Sequence, residues 1–177
     1  RYNEHTFILR QNPAIHWEAP FMYLLMGNQQ AILLDAGATE EEEFFPLRGV
    51  IDGILQSWAH AHRVEIPDLI VMPLGSDQSQ TAALDQFADR LETNIFAPGS
   101  EARADVIANQ RLDLGGRIPS VVPTPGLNDS ALTIYDPWSD LLFTGNTFYA
   151  GRLVIRDFDA YRGSLQRLVQ LAQEVPI

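Results

Sequence analysis

The segment Asp68-Leu-Ile-Val-Met72 is an apolar run of strand length with almost no polar alternation. A strand with one face in water alternates apolar and polar side chains, so a run without alternation needs cover on both faces. It therefore predicts a strand at the centre of a sheet, with other layers packed against it. The flanking sequence supplies those layers. Before it, Leu47, Val50, Ile51, Ile54, Leu55 and Trp58 recur at helical spacing behind Pro46. After it, beyond a small polar loop at 75–80, Leu84, Phe87, Ala88 and Leu91 repeat that spacing.

The remaining segments read as a mixture of hairpins and helices. Residues 6–11 are a candidate strand, and 21–26 with 31–34 form a hairpin across Gly27-Asn28-Gln29-Gln30. Thr39 and Glu42 have capping-box spacing. The acids at 40–43 then either sit at a helix amino terminus, where the dipole favours them, or form a solvated loop. Residues 95–97 make a short strand ended by Pro98-Gly99, and 101–110 a weaker helix. Gly115-Gly116 turns the chain into a strand at 118–122. Residues 132–135 and 141–143 pair across Asp136-Pro137-Trp138-Ser139-Asp140. Phe158, Tyr161, Leu165, Leu168, Val169 and Ala172 form the face of a closing helix. Hairpins combined with helical crossovers imply a layered α/β fold in one domain. No G-x-G-x-x-G or Walker sequence is present, so nothing marks a nucleotide site.

Charge narrows the function classes. The 23 acids and 12 bases give a formal charge of −11 with no basic stripe, which argues against a nucleic-acid partner. No stretch reaches the ~20 apolar residues of a membrane span, and a cytoplasmic protein is expected. The absence of Cys removes disulfides, thiolate nucleophiles and thiolate metal ligands.

Several segments in order carry a family pattern. Tyr23-Leu24-Leu25 followed by Ala31-Ile32-Leu33-Leu34-Asp35-Ala36-Gly37 resembles the opening hairpin of the metallo-beta-lactamase fold. Val122-Pro123-Thr124-Pro125-Gly126-Leu127, then Ala131-Leu132-Thr133-Ile134-Tyr135-Asp136, then Leu141-Leu142-Phe143-Thr144-Gly145-Asn146-Thr147 resemble its second half. Phe148-Tyr149-Ala150-Gly151-Arg152-Leu153, leading to Asp157 and the last helix, does too. The resemblance covers nearly the whole chain and implies a four-layer αββα sandwich. Members of that family hold one or two metals, typically zinc, and most are hydrolases.

The resemblance also shows what is missing. The family signature Thr-His-x-His-x-Asp-His, aligned through Thr81-Ala82-Ala83, puts Gly75, Asp77 and Gln80 at the histidine places and Ser79 at the aspartate. Sliding by one residue puts Leu74, Ser76 and Ser79 at the histidines and Gln78 at the aspartate; neither register recovers a histidine. Leu127 stands for the histidine after Thr-Pro-Gly, and Asn146 for the aspartate after Thr-Gly. A final histidine would lie beyond Ile177, so the family pattern is cut short at the C-terminus.

Zinc is normally held by imidazole, thiolate or carboxylate. Gly75 and Leu127 supply no ligand, while Gln80 and Asn146 supply neutral amides. The resemblance therefore implies a catalytically degenerate, metal-free protein, a pseudoenzyme without cofactor that binds a small molecule or a protein at the former active-site cleft. Asp35, Asp129, Tyr149 and Arg152 are the further pocket candidates, Asp35 as a structural partner of loop amides. Arg152 either orders the loop near Asn146 or bridges to Asp157. One alternative is an atypical hydrolase in which Asp77 and Asp129 hold a divalent metal weakly. Another is a purely structural or assembly protein, with Trp138 as a patch residue. Homo-oligomerisation stays open.

The histidines lie elsewhere. His60-Ala61-His62 has ligand-like spacing but follows the helix stripe, and reads as surface or packing. His5 and His16 are isolated, and His16-Trp17-Glu18 is either an aromatic cap or local core packing. Ser76, Ser79 and Ser130 lack a nucleophile-elbow context.

Overall fold

Asp68–Met72 is the fourth strand, β4, of a five-stranded sheet whose strand order follows the chain. In this computed structural model, which describes residues 1–176, β1 (Thr6–Arg10), β2 (Phe21–Met26) and β3 (Gln30–Leu34) precede it as antiparallel neighbours. β4 pairs parallel with β3 on one side and with β5 (Thr93–Ile95) on the other. A tight turn cannot join parallel strands, so the chain crosses a face of the sheet between them. α1 (Leu47–His62) makes the first crossover. Leu47, Ile51, Leu55 and Trp58 of this helix pack with Leu24, Leu33, Leu69 and Val71 in one buried cluster. Val50, expected in the same stripe, is exposed.

The acids at 40–43 form an exposed turn ahead of α1 rather than its first turn. Pro46 stands at the N-cap without a side-chain cap. The capping box does not form, because Thr39 Oγ1 accepts from Gln11 Nε2 at 2.5 Å instead.

The second crossover differs from the expected helix through Leu91. It consists of a single turn, α2 (Gln78–Thr81), and a 3-10 turn at Leu84–Phe87. The Ala82 amide closes the turn on Gln78 O at 3.1 Å and also meets Gly37 O at 3.2 Å, and the next amide, of Ala83, leaves the helical pattern for Ala36 O at 3.2 Å. Phe87 still reaches the core, but Leu91 is 86% exposed. β5 starts two residues before its expected position because its register is set by β4, through Leu69 opposite Thr93 and Val71 opposite Ile95. These elements, Arg1–Pro73 and Asp77–Ala97 with Leu114–Gly116, make one compact unit.

The other unit contains Leu74–Ser76, Pro98–Asp113 and the chain from Arg117 onward. Its sheet has β7 (Leu132–Asp136) between β6 (Ser120–Pro123) and β8 (Leu141–Phe143), all antiparallel, with the expected hairpin joining β7 to β8. Every residue of β7 is buried, Asp136 included. Buried Arg117 meets that carboxylate with two bonds, Nε to Oδ1 at 3.1 Å and Nη2 to Oδ2 at 2.6 Å. Ser139 Oγ donates to the same group. Trp138, read as a patch residue, lies over the Arg117 guanidinium at 4.9 Å.

Two helices complete this unit. α3 (Glu101–Asn109) is capped by Ser100, and α4 (Phe158–Glu174) by the Asp157 carboxylate, which accepts from Ala160 N at 2.9 Å. The buried face of α4 runs through Tyr161, Ser164 and Leu168, while Phe158 and Val169 face solvent. Contacts with the loop before β7 cause this rotation. Ser164 Oγ donates to the Pro125 carbonyl at 2.7 Å. Gly126, at φ +138°, passes so close that an added Cβ would lie 2.5 Å from Tyr161 Cα. No helix among the described residues is long and apolar enough to cross a membrane.

Burial disfavours ionisation of Asp136, but the bonds from Arg117 and Ser139 outweigh it and hold the carboxyl below its ordinary value of 3.8. A depressed folded value stabilises the fold above the unfolded value, and that contribution is lost as pH falls through the folded one. Urea denaturation is therefore expected to show lower stability on acidification below about pH 4, with Asp136→Asn removing that part of the dependence. Arg117→Met is expected to cost about 3–5 kcal/mol at neutral pH by stranding the carboxylate.

Candidate functional site

Asp35 turns the chain off the end of β3 in the left-handed region, at φ +66°. It is 4% exposed, and Gln80, at one of the histidine places, is 2% exposed. The two segments are tied through the backbone by Ala36 N to Gln80 O at 2.8 Å and through side chains by Gln80 Nε2 to Asp35 Oδ1 at 3.2 Å. Gln80 Oε1 is buried with no hydrogen-bond partner among the described residues. A second buried amide serves the same loop, since Gln11 Oε1 accepts from Ala38 N at 2.9 Å. Burial, and then the Asp35 charge, push the Tyr23 hydroxyl above its ordinary pKa. Asp77 is the N-cap residue of α2, and both it and Ser79 are partly exposed.

In the second unit, Gly75 is buried beside Leu74, whose carbonyl accepts from Leu132 N at 2.7 Å. Leu127 is buried at the start of a loop that α3 holds in place. Arg103 Nη2 donates to Ser130 O at 2.6 Å, and Ser130 Oγ to Asn128 Oδ1 at 3.0 Å. Asp129 is exposed at the tip of that loop. Asn146 is partly buried in a turn closed by Thr147 N to Thr144 O at 3.0 Å. Thr147 is in turn fixed by Thr124 at 3.1 Å and by the Tyr161 hydroxyl at 3.1 Å. Tyr149 and Arg152 are exposed, and Tyr149 OH donates to the Arg152 carbonyl at 2.7 Å. The alternative Arg152–Asp157 bridge does not form: the Asp157 carboxylate caps α4 instead.

The histidines are distributed differently from their sequence reading. Trp17 is 82% exposed and stacks on His16, so this pair is not core packing. His60 is exposed. His5 and His62 come together with Glu4, the one group of three His, Asp or Glu ligand atoms that lie close together among the described residues. Neither Asp77 nor Asp129 belongs to it. Glu4 had no signal in the sequence, since its partners stand 57 positions apart at the start of β1 and the end of α1.

The Asp35–Gln80 contact is testable on its own. Gln80→Leu removes a donor from a buried carboxylate and is expected to cost about 1.5–3 kcal/mol. Combined with Asp35→Asn, it is expected to cost less than the sum of the two single changes, read by denaturant melts in a double-mutant cycle.

No family model and no curated protein matches the sequence. Solved structures do match. An archaeal metallo-beta-lactamase superfamily protein from Sulfolobus tokodaii has a TM-score of 0.62 at 15% identity, over 94% of this chain and 76% of that one. A metallo-beta-lactamase from Pontibacter korlensis gives 0.66 at 15% identity, over 99% and 86%. ETHE1 from Myxococcus xanthus gives 0.64 at 18% identity, over 92% and 69%. With two sheets and four α-helices in this order among the described residues, the chain has the metallo-beta-lactamase fold.

Proposed function

We propose that this chain is a non-hydrolytic protein on the metallo-beta-lactamase scaffold, binding a small molecule through positions where related folds keep metal ligands. The observation that carries this reading is the state of Gln80. Its amide nitrogen is committed to Asp35, and its oxygen is buried without a donor among the described residues. A neutral amide in that position is a weak zinc ligand, whereas an unmatched buried acceptor suits the N–H or O–H of a small ligand. Leu127 fits the same reading, because an apolar side chain at its place in the family pattern offers no ligand atom. Lactam hydrolysis, which the names of several similar structures state for those proteins, does not carry over to this one.

A protein partner is the second reading, favoured by the segment at 148–158. Phe148, Val154 and Phe158 are all well exposed there. A cytoplasmic setting fits either reading.

Hydrolysis of ester, thioester and lactam substrates with added Zn²⁺, Mn²⁺ or Fe²⁺ tests the proposal. The expected rates for the parent protein match those of the Asp77→Ala/Asp129→Ala double variant. Turnover that disappears in the double variant would establish the hydrolase alternative. A small-molecule thermal-shift screen is expected to yield ligands whose stabilisation is lost in Gln80→Ala.

A further inference from the structure

Trp58 sets the protons of two imidazoles in opposite senses. Its indole Nε1 donates to His5 Nδ1 at 3.1 Å, and its carbonyl oxygen lies 2.8 Å from His62 Nδ1. An indole N–H only donates and a carbonyl only accepts. In the neutral rings, His5 therefore carries its proton on Nε2, whereas His62 carries its proton on Nδ1. That leaves the His62 Nε2 lone pair directed to the neighbourhood of Glu4, whose Oε1 is 4.0 Å away. The His62 ring is held in this attitude by stacking on Trp58, with centroids 4.5 Å apart and planes at 28°.

A histidine that gives Nδ1–H to a backbone carbonyl and presents Nε2 beside a carboxylate is arranged as a metal-ligating histidine is. One ligand atom from each of Glu4, His5 and His62 lies within 4.8 Å of the others. Tetrahedral zinc with bonds of roughly 2.0–2.2 Å sets its ligand atoms about 3.3–3.6 Å apart. Glu4 and His62, at 4.0 Å, need to close by about half an ångström, and the widest pair, within 4.8 Å, by about 1 Å. Exposure of the Glu4 side chain leaves it free to make that movement.

Access is open. Glu4 and His62, with Trp58, line a hollow of about 320 Å³ beside α1, where Gly49 and Gly53 leave open space. The net charge of −11 favours a cation. Arg1 Nη2, 3.8 Å from Glu4, is the opposing charge, and it is well exposed and screened.

We propose that Glu4, His5 and His62 bind one zinc ion, with Trp58 limiting the affinity. His62 Nε2 and Glu4 are ready ligands. His5 is not, because both of its nitrogens are blocked by the same hydrogen bond. Ligation through Nδ1 needs the lone pair that Trp58 uses, and ligation through Nε2 moves the proton to Nδ1, against the indole N–H. Zinc binding and the Trp58–His5 bond are therefore competitors. None of the three ligands stands at a position used by the non-hydrolytic reading, so this site holds or fails independently of it.

Titration of metal-stripped protein with Zn²⁺ is expected to saturate at one ion per chain. His62→Ala and Glu4→Ala are expected to weaken binding by about tenfold or more, and His60→Ala to leave it unchanged. His62→Gln, checked by circular dichroism, repeats the ligand loss with the side-chain volume kept. Trp58→Phe keeps the backbone carbonyl and the stacking ring but removes the N–H, and is expected to tighten binding by up to about tenfold. Long-range ¹H–¹⁵N spectra are expected to show opposite tautomers for His5 and His62 without zinc, with His5 changing on addition. No zinc uptake, uptake indifferent to His62, or a folded Trp58→Phe protein that binds no tighter would each overturn the proposal.

Discussion

The parallel pairing of β4 with both of its neighbours is the constraint that orders the first unit. Because neither β3 nor β5 can reach it by a tight turn, two crossovers are required. The first can be a full helix, since its segment offers apolar residues at i, i+4, i+8 and i+11 in Leu47, Ile51, Leu55 and Trp58. The second stops after one turn, where the Ala82 amide is shared between the helical Gln78 carbonyl and Gly37, and the Ala83 amide goes to Ala36. The Ala36 and Gly37 carbonyls belong to the loop that carries Asp35. The shortness of the second crossover and the burial of Gln80 next to Asp35 are thus one event.

The second unit solves a different problem, a charged residue at the end of a fully buried strand. Asp136 is tolerable there only because Arg117 meets it with two bonds and Ser139 and Trp138 complete the set. Isolated carboxylates of this kind are costly to bury. The hairpin expected from Asp136-Pro137-Trp138-Ser139-Asp140 is correct in outline. Its sequence shows turn chemistry, however, and not the guanidinium nineteen residues earlier that holds the turn together.

What was legible divides along the same line. Strands whose burial is written in consecutive apolar residues, such as β2, β3, β4 and β7, are where the pattern placed them. Elements shaped by distant partners are not. Leu91 has helical spacing with Leu84 and Phe87, yet the backbone there closes three-residue turns, from Gln86 N to Ala83 O, Ala88 N to Asp85 O and Arg90 N to Phe87 O, and Leu91 is exposed. Phe158 and Val169 are the more apolar choice for the face of α4, but the close approach of Gly126 to Tyr161 turns the helix past them. For the site, the family resemblance singled out Asp35 and Gln80 without showing that they bond each other. Glu4, His5 and His62 were invisible as a group, because the fold alone brings the two ends of β1 and α1 together.

Two polar arrangements in the first unit show how the same chemistry can be closed off or held open. At Asp35, a buried carboxylate takes its donor from Gln80, and a histidine in that place would have supplied an ionisable ring instead. The neutral amide avoids the cost of a second titrating group in a dry loop, but leaves one oxygen without a donor among the described residues. At Trp58 the side chains are wetter and the imidazoles are retained. Here one ring has its lone pair exposed and the other has it covered, both by the same residue. Ligand character at this second place therefore depends less on which side chains are present than on where Trp58 puts their protons.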